Sequence, residues 1–215
     1  MTTQLTTVGR RRFLEGGLAA LGGLALPRGL AAQPASPRLA ATPAQTAGPF
    51  YPVRFPEDAD ADLVRVRGAS TRAQGVVTHL RGRVLGVDGR PIEGANIEIW
   101  QCDVHGRYLH PADGGLKDTA FQGFGRVRSG LNGAYAFRTI RPSAYPGRTP
   151  HVHFAVSAPG RRRLVTQMYV AGDPLNERDG LYRSLGARSD NLTVRLDPAN
   201  GIEDGALAGT FDIVL

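Results

Sequence analysis

Residues 149–156 read TPHVHFAV. Val152, Phe154 and Val156 alternate with His151, His153 and Ala155, and a period of two places residues i and i+2 on the same face of a β-strand. One face is then apolar and suited to a core. The other carries two imidazoles about 7 Å apart along the strand, at ~3.3 Å per residue. Adjacent imidazoles compete for hydrogen-bond partners unless something joins them. A metal ion is one reading of the pair; two strand histidines on a hydrated sheet face is the other.

Similar runs lie to either side. Residues 79–86 (HLRGRVLG), 95–102 (ANIEIWQC), 134–140 (AYAFRTI), 164–170 (LVTQMYV), 192–196 and 210–215 are short, rich in β-branched or aromatic residues, and separated by turn dipeptides such as Asp88-Gly89, Asn132-Gly133 and Pro159-Gly160. No long segment carries a helical period. Short alternating strands with Gly- and Pro-rich connections predict an all-β protein, an antiparallel β-sandwich. Two long connections, residues 104–130 and 141–150, are the expected active-site loops, because loops on a rigid scaffold carry chemistry most often.

Toward the start of the chain, Arg10-Arg11-Arg12-Phe13-Leu14 precedes an apolar stretch of small residues and leucines, 16–26, and the small-residue site Leu30-Ala31-Ala32. Residues 1–32 are expected to be a twin-arginine-type signal peptide, residues 33–45 a Pro-rich disordered linker, and residues 46–215 the functional domain. The apolar stretch of 11 residues is well short of the roughly 20 that span a bilayer, so no stable membrane anchor is expected. The expected location is outside the cytoplasm, periplasmic or extracellular.

The 215-residue chain has a formal net charge of +7. Without residues 1–32, which hold four arginines and one glutamate, 22 basic and 18 acidic residues remain, a net charge of +4. The basic residues are scattered apart from Arg161-Arg162-Arg163, which follows Pro159-Gly160 and reads as a solvated turn. No basic stripe interleaved with aromatics is present, so nucleic acid is not an expected partner. One cysteine, Cys102, ends an apolar strand and reads as a buried small hydrophobe, which leaves no internal disulfide.

If His151 and His153 hold a metal, further ligands are needed. Five histidines and no disulfide exclude a copper–zinc superoxide dismutase, and no glutamate follows His153 where a cupin requires one. Two tyrosines lie in the expected loops: Tyr108, directly after the 95–102 strand, and Tyr145, whose direction is restricted by Pro146. Phenolate is a hard anionic donor suited to Fe(III), and imidazole suits iron as well. Each tyrosine also reads as an ordinary strand-end tyrosine bonded to backbone.

The motifs Leu80-Arg81-Gly82-Arg83-Val84, Asp88-Gly89-Arg90-Pro91-Ile92 and Ala95-Asn96-Ile97-Glu98-Ile99-Trp100-Gln101 resemble the intradiol ring-cleavage dioxygenases. So do Gly106-Arg107-Tyr108, Phe121-Gln122-Gly123-Phe124-Gly125-Arg126, Gly133-Ala134-Tyr135-Ala136-Phe137, Tyr145-Pro146, Arg148-Thr149-Pro150-His151-Val152-His153-Phe154 and Thr166-Gln167-Met168-Tyr169. They occur in family order across residues 46–175, and within the family the chain is most similar to the protocatechuate 3,4-dioxygenases. The resemblance implies a β-sandwich core and a non-haem Fe(III) held by Tyr108, Tyr145, His151 and His153. It implies catalytic roles for Tyr145 and Arg148, and substrate contacts from Thr46, Gly48, Pro49 and Gln167. Glu98 and Trp100 read as core and network residues.

The partners implied are a small-molecule catechol and O2, with a homo-oligomer left open. The chain departs from the two-chain enzymes of the family in having only Pro146 to Pro150 between Tyr145 and His151, which shortens one wall of the expected pocket. It also lacks the helical dimerisation segment of the catechol and hydroxyquinol enzymes before the expected sandwich. The alternative reading is a non-enzymatic transthyretin-like or adhesin-like β-sandwich module, which shares the Gly82, Asp88-Gly89 and Gly133-Ala134-Tyr135 features.

Overall fold

The computed structural model describes residues 38–215. The signal peptide expected over residues 1–32 lies outside the described residues. Among the described residues ten strands follow one another: β1 (Val77–Leu85), β2 (Asn96–Trp100), β3 (Phe124–Arg128), β4 (Ala134–Ile140), β5 (His151–Ser157), β6 (Leu164–Val170), β7 (Thr193–Val194), β8 (Asp197–Pro198), β9 (Leu207–Thr210) and β10 (Ile213–Val214). The helical segments are short, and α1 (Gly180–Arg183) is a single turn.

The strands form two five-stranded sheets, one built on β1 with β4, β8, β9 and β10, the other in the order β3-β2-β5-β6-β7. Both are mixed, where the alternation predicts antiparallel sheets. β1 pairs antiparallel with β4 but parallel with β9 and β10, and β6 pairs parallel with β7. A period of two reports which face a residue occupies and carries no information on strand direction. The parallel pairs are made by short segments that return to a sheet after a long excursion, as parallel pairing requires.

The apolar faces of the two sheets meet in one cluster. Leu80, Val84, Tyr135 and Phe137 from one sheet share it with Ile97, Ile99, Val152, Phe154, Val156 and Met168 from the other. Phe154 lies against Phe211 at 5.0 Å and Tyr135 at 6.2 Å between ring centroids, linking the sheets directly. Cys102 is buried, as its position at the end of an apolar strand predicts.

β3 falls inside the 104–130 stretch expected to be loop. Its sequence, FGRVR, has too few apolar residues to alternate, and it exists through pairing with β2, from Asn96↔Arg128 to Trp100↔Phe124. Gly125 is required there: a Cβ at this position would lie 2.5 Å from Leu63 Cδ1 and 2.7 Å from the Asp60 carbonyl oxygen. The expected strand at 210–215 is two, β9 and β10, separated by Phe211 and Asp212.

The outer face of β2, β5 and β6 is not left to solvent. A second, smaller buried cluster of Trp100, Cys102, Tyr108, Phe124 and Ala155 lies there, with Ala47, Phe50, Tyr51 and Ala59 packed against it. The segment that leads to this cover runs along the domain. Leu39 N bonds to Val87 O at 2.8 Å, Thr42 N to Val214 O at 3.0 Å, and Gln45 N to Val165 O at 2.8 Å. Residues 38–45, expected to form part of a disordered linker, are therefore hydrogen-bonded to the sheets. The histidine strand β5 is thus central in its sheet and buried on both faces.

Truncating the ring that joins the sheets leaves a cavity the core closes poorly. Phe154→Ala is expected to lower unfolding free energy by about 3–5 kcal/mol, measured from the urea midpoint at constant m-value.

Candidate metal centre

Along β5 the two histidines are one residue apart, yet their side chains lean toward each other. His151 Nε2 lies 3.2 Å from His153 Nε2, far closer than the backbone spacing of about 7 Å suggests. His151 Nδ1 lies 2.7 Å from the Thr149 carbonyl, and only a protonated Nδ1 bonds a carbonyl oxygen. That bond assigns the tautomer and leaves a lone pair on Nε2. His153 stacks on Trp100 with centroids 4.8 Å apart and planes 4° apart. Gly48, at φ +66°, lies near the same ring: a Cβ there would meet His153 Cε1 at 3.5 Å and Nε2 at 3.8 Å.

Both histidines are held neutral. Burial, reinforced by the nearby Arg148 charge, depresses His151 to about 4. Burial, then His151, then Arg148 keep His153 well below the usual imidazole range. Of the other three described histidines, His79 bonds Glu203 at 3.1 Å, His110 Nδ1 accepts from the Ala112 amide at 3.1 Å, and the His105 backbone amide is bonded to Asp103.

Two phenols complete the group. Tyr108 Oη lies 3.4 Å from His151 Nε2, and the Tyr145 ring stands 5.6 Å from those of both Tyr108 and His151. Burial raises both hydroxyls, Tyr108 well above the normal phenol range and Tyr145 less, because Arg148 and Tyr108 oppose the shift. Without a cation both therefore stay protonated at neutral pH.

The two tyrosines are held differently. Tyr108 is buried, its ring stacked on Phe50 at 4.8 Å and its backbone amide bonded to Asp113 Oδ2 at 2.7 Å. Asp103 organises the same loop, accepting from the His105 and Arg107 amides at 2.9 Å and from the Asp118 amide at 2.7 Å. Tyr145 is only half-buried, in the short loop that precedes β5.

Arg148 reaches into the group. Nε donates to Asp179 Oδ2 at 2.8 Å, one terminal nitrogen to Tyr145 Oη at 3.3 Å, and the other to Gln167 Oε1 at 2.5 Å. Burial works against its charge, but Asp179 outweighs burial and holds it protonated. Gln167 sits across from His153 in the β5–β6 register, and its Nε2 donates to the Thr46 carbonyl at 3.0 Å. Tyr169, across from His151, donates to Gln45 Oε1 at 2.7 Å. Residues 46–50 therefore lie beside the histidines of their own chain, with Thr46 bonded to Gln167, Gly48 near His153 and Pro49 exposed.

The structure brings together Tyr108, Tyr145, Arg148, His151, His153, Gln167, Thr46 and Gly48. Sequence reasoning missed Asp179, Thr149, Tyr169, Phe50 and Asp113. Asp179-Gly180-Leu181 carries a helix N-cap signal, which locates Asp179 but not its reach to Arg148. Trp100, read as a core residue, also forms one wall of the group through its stack on His153. Glu98, read as a network residue, accepts from Tyr51 Oη at 2.9 Å and from Arg163 at 3.0 Å, so the last arginine of the exposed triplet is paired.

Among the described residues no three His, Cys, Asp or Glu side chains gather to hold a metal. The donors available are two imidazole nitrogens and two phenol oxygens. His151 presents a lone pair at Nε2, His153 Nε2 faces the same point, and hard oxygens complete the set. That chemistry fits a trivalent iron better than zinc or copper(I).

The family model described as a dioxygenase matches residues 46–215. The chain is 36% identical over 180 residues to a protocatechuate 3,4-dioxygenase beta chain from Burkholderia cepacia, a match that covers 77% of each. It is 34% identical to a hydroxyquinol 1,2-dioxygenase from Nocardioides simplex, with 66% of this chain and 52% of that one covered. Among solved structures, the dioxygenase domain of a carbohydrate-binding fusion protein from a Streptomyces species superposes with a TM-score of 0.64 at 32% identity, covering 82% of this chain and 98% of that one.

A histidine depressed in the folded state costs stability as pH falls. The unfolded chain takes up a proton near its ordinary value of about 6.5, whereas folded His151 resists protonation down to about 4. The metal-free protein is expected to lose on the order of 2–3 kcal/mol between pH 6.5 and 4 from this residue. The loss is read from urea midpoints across that range and is reduced in His151→Gln.

Proposed function

The chain belongs to the intradiol ring-cleaving dioxygenase family, and from that premise we propose that it cleaves a catechol-type ring between its two hydroxyl-bearing carbons with O2. The product is a muconate-type diacid, and the substrate is protocatechuate or a related catechol. The observation that carries the proposal is the convergence on His151 Nε2 of His153 Nε2 at 3.2 Å and Tyr108 Oη at 3.4 Å, with Tyr145 and the Arg148 guanidinium beside them. Fe(III) is the metal proposed, held by Tyr108, Tyr145, His151 and His153. When bound, it would supply Lewis acidity that draws electron density from a catechol substrate and makes its ring reactive toward O2.

The side chains divide the remaining work by how firmly each is held. Tyr108 is buried, stacked and tethered through its own amide, so it stays in place. Tyr145 is half-buried on a loop and less firmly held, and as the phenolate that a bound cation would make of it, its Oη would be the group placed to take up a substrate hydroxyl proton. Arg148, bonded to Tyr145 Oη, would offset negative charge near the ring. That charge is worth more in a site screened from water. Residues 46–50 provide the screen, because Gln167 ties Thr46 to β6 and Ala47 and Phe50 pack against the cluster of Trp100 and Tyr108.

A non-enzymatic β-sandwich module is not favoured. Such a module gives no reason to bury two neutral imidazoles against two phenols with an arginine among them.

Purified protein loaded with Fe(III) is expected to show a visible tyrosinate-to-iron absorption and to consume O2 with catechols. A panel of protocatechuate, catechol, hydroxyquinol and substituted catechols identifies the substrate. Tyr145→Phe is expected to lower kcat by about 10²–10⁴-fold, the range for a lost proton acceptor, and His153→Ala to abolish colour and bound iron. Iron-loaded protein that is colourless and inert toward every catechol would refute the proposal.

We also propose that the protein acts outside the cytoplasm, on the strength of Arg10-Arg11 and the apolar stretch that follows. Replacing both arginines with lysine is expected to retain the full chain in the cytoplasm on cell fractionation, whereas the native chain is exported.

A further inference from the structure

Asp179 is a carboxylate with no solvent-accessible side-chain surface. A charge buried this way is costly unless each oxygen is fully bonded. Oδ1 accepts from the Leu181 and Tyr182 amides at 2.8 and 3.1 Å. Oδ2 accepts from Arg148 Nε at 2.8 Å and the Thr149 amide at 3.0 Å. The first pair caps α1, and capping one helical turn needs a single oxygen that serine or asparagine also offers. The second pair has no part in the helix. It points at the two residues that adjoin the reacting group.

We propose that Asp179 is the positioning residue of the site, acting through Arg148 on the substrate side and through Thr149 on the metal side. This rests on the dioxygenase reading above. Guanidinium is a rigid planar fork, so fixing Nε fixes where the other two nitrogens point. With Nε on Asp179, one terminal nitrogen faces Tyr145 Oη and the other faces Gln167 Oε1. Thr149 is held twice, through its amide on Asp179 and through Oγ1 on Asn176 Oδ1 at 2.7 Å. Its carbonyl is the group that receives the His151 Nδ1 proton. One buried carboxylate thereby sets the direction of the active-site cation and supports the bond that fixes the His151 tautomer. Support of this kind beyond the ligands is worth about 10–100-fold in activity or metal affinity.

Two variants test it. Asp179→Ser keeps a helix cap but is too short to reach Arg148. Asp179→Asn keeps the shape but sets an amide NH2 against donors. In the metal-free protein, hydrogen exchange at Arg148 Nε–H and the Thr149 amide, followed by NMR, is expected to speed up at least tenfold in both variants. The Leu181 and Tyr182 amides remain protected in Asp179→Ser.

In the iron-loaded protein, kcat per bound iron is expected to fall about 10–100-fold with a smaller change in KM. In an Arg148→Ala background, Asp179→Ser is expected to change kcat per bound iron by less than about threefold, because its partner is already gone. It still hastens iron loss to a chelator through Thr149 and His151. If Asp179→Asn fails to fold, Asp179→Ser carries the test.

The proposal is overturned if Arg148 Nε–H stays protected in Asp179→Ser, or if kcat per iron falls by the same factor in both backgrounds. Wild-type protein that binds iron but turns over no catechol overturns the dioxygenase reading instead, and the exchange data still decide the positioning role.

Discussion

Two neutral imidazoles whose Nε2 atoms face each other across 3.2 Å are the constraint on which the rest of this molecule depends. With the His151 Nδ1 proton donated to Thr149, its Nε2 lone pair points at His153, whose own Nδ1 is buried without a hydrogen-bond partner, and burial keeps both rings neutral. This pair of neutral nitrogens is what the proposed Fe(III) would bind. Apolar packing alone does not explain this arrangement, since an aliphatic pair would fill the same space on β5 without the cost of buried polar nitrogens.

The architecture makes that pair tenable by giving one sheet two buried faces. On the inner face Val152, Phe154 and Val156 lock β5 into the common core. On the outer face Trp100 fixes the plane of His153, and the segment around Phe50 and Tyr51 closes over it. The same covering segment screens a cluster of weakly acidic phenols and one permanent cation, where their mutual interaction is strongest. Tyr108 and Tyr145 present the same chemistry to the site, and the proposed division of labour between them rests on their different burial and tethering.

A chain of polar contacts carries order outward from this centre. Gln167 couples Arg148 to Thr46, and Tyr169 reaches Gln45, so the covering segment and the guanidinium are registered against the same strand, β6. Asp103 and Asp113 fold the loop that delivers Tyr108 by accepting backbone amides, which spends carboxylates where a regular strand would have used its neighbour.

The inner face of β5, the positions of β4, β5 and β6 and the buried Cys102 were legible from period-two alternation, while the pairing of His151 and His153 with Tyr108 and Tyr145 came only from the family resemblance. Motif order added the family. Strand direction was not legible, because alternation reports faces alone. β3 was missed because FGRVR owes its strand to pairing with β2, and residues 38–45 because proline content says nothing of the carbonyls they meet. Asp179 was visible as a helix cap, but the reach of its second oxygen to Arg148 and Thr149 depends on two segments some thirty residues apart meeting in space. The sequence by itself determined which groups are present and which face each strand residue takes, since both follow from local covalent geometry. Only the tertiary structure decided their distances, burial and partners, because those depend on non-local contacts that no spacing along the chain encodes.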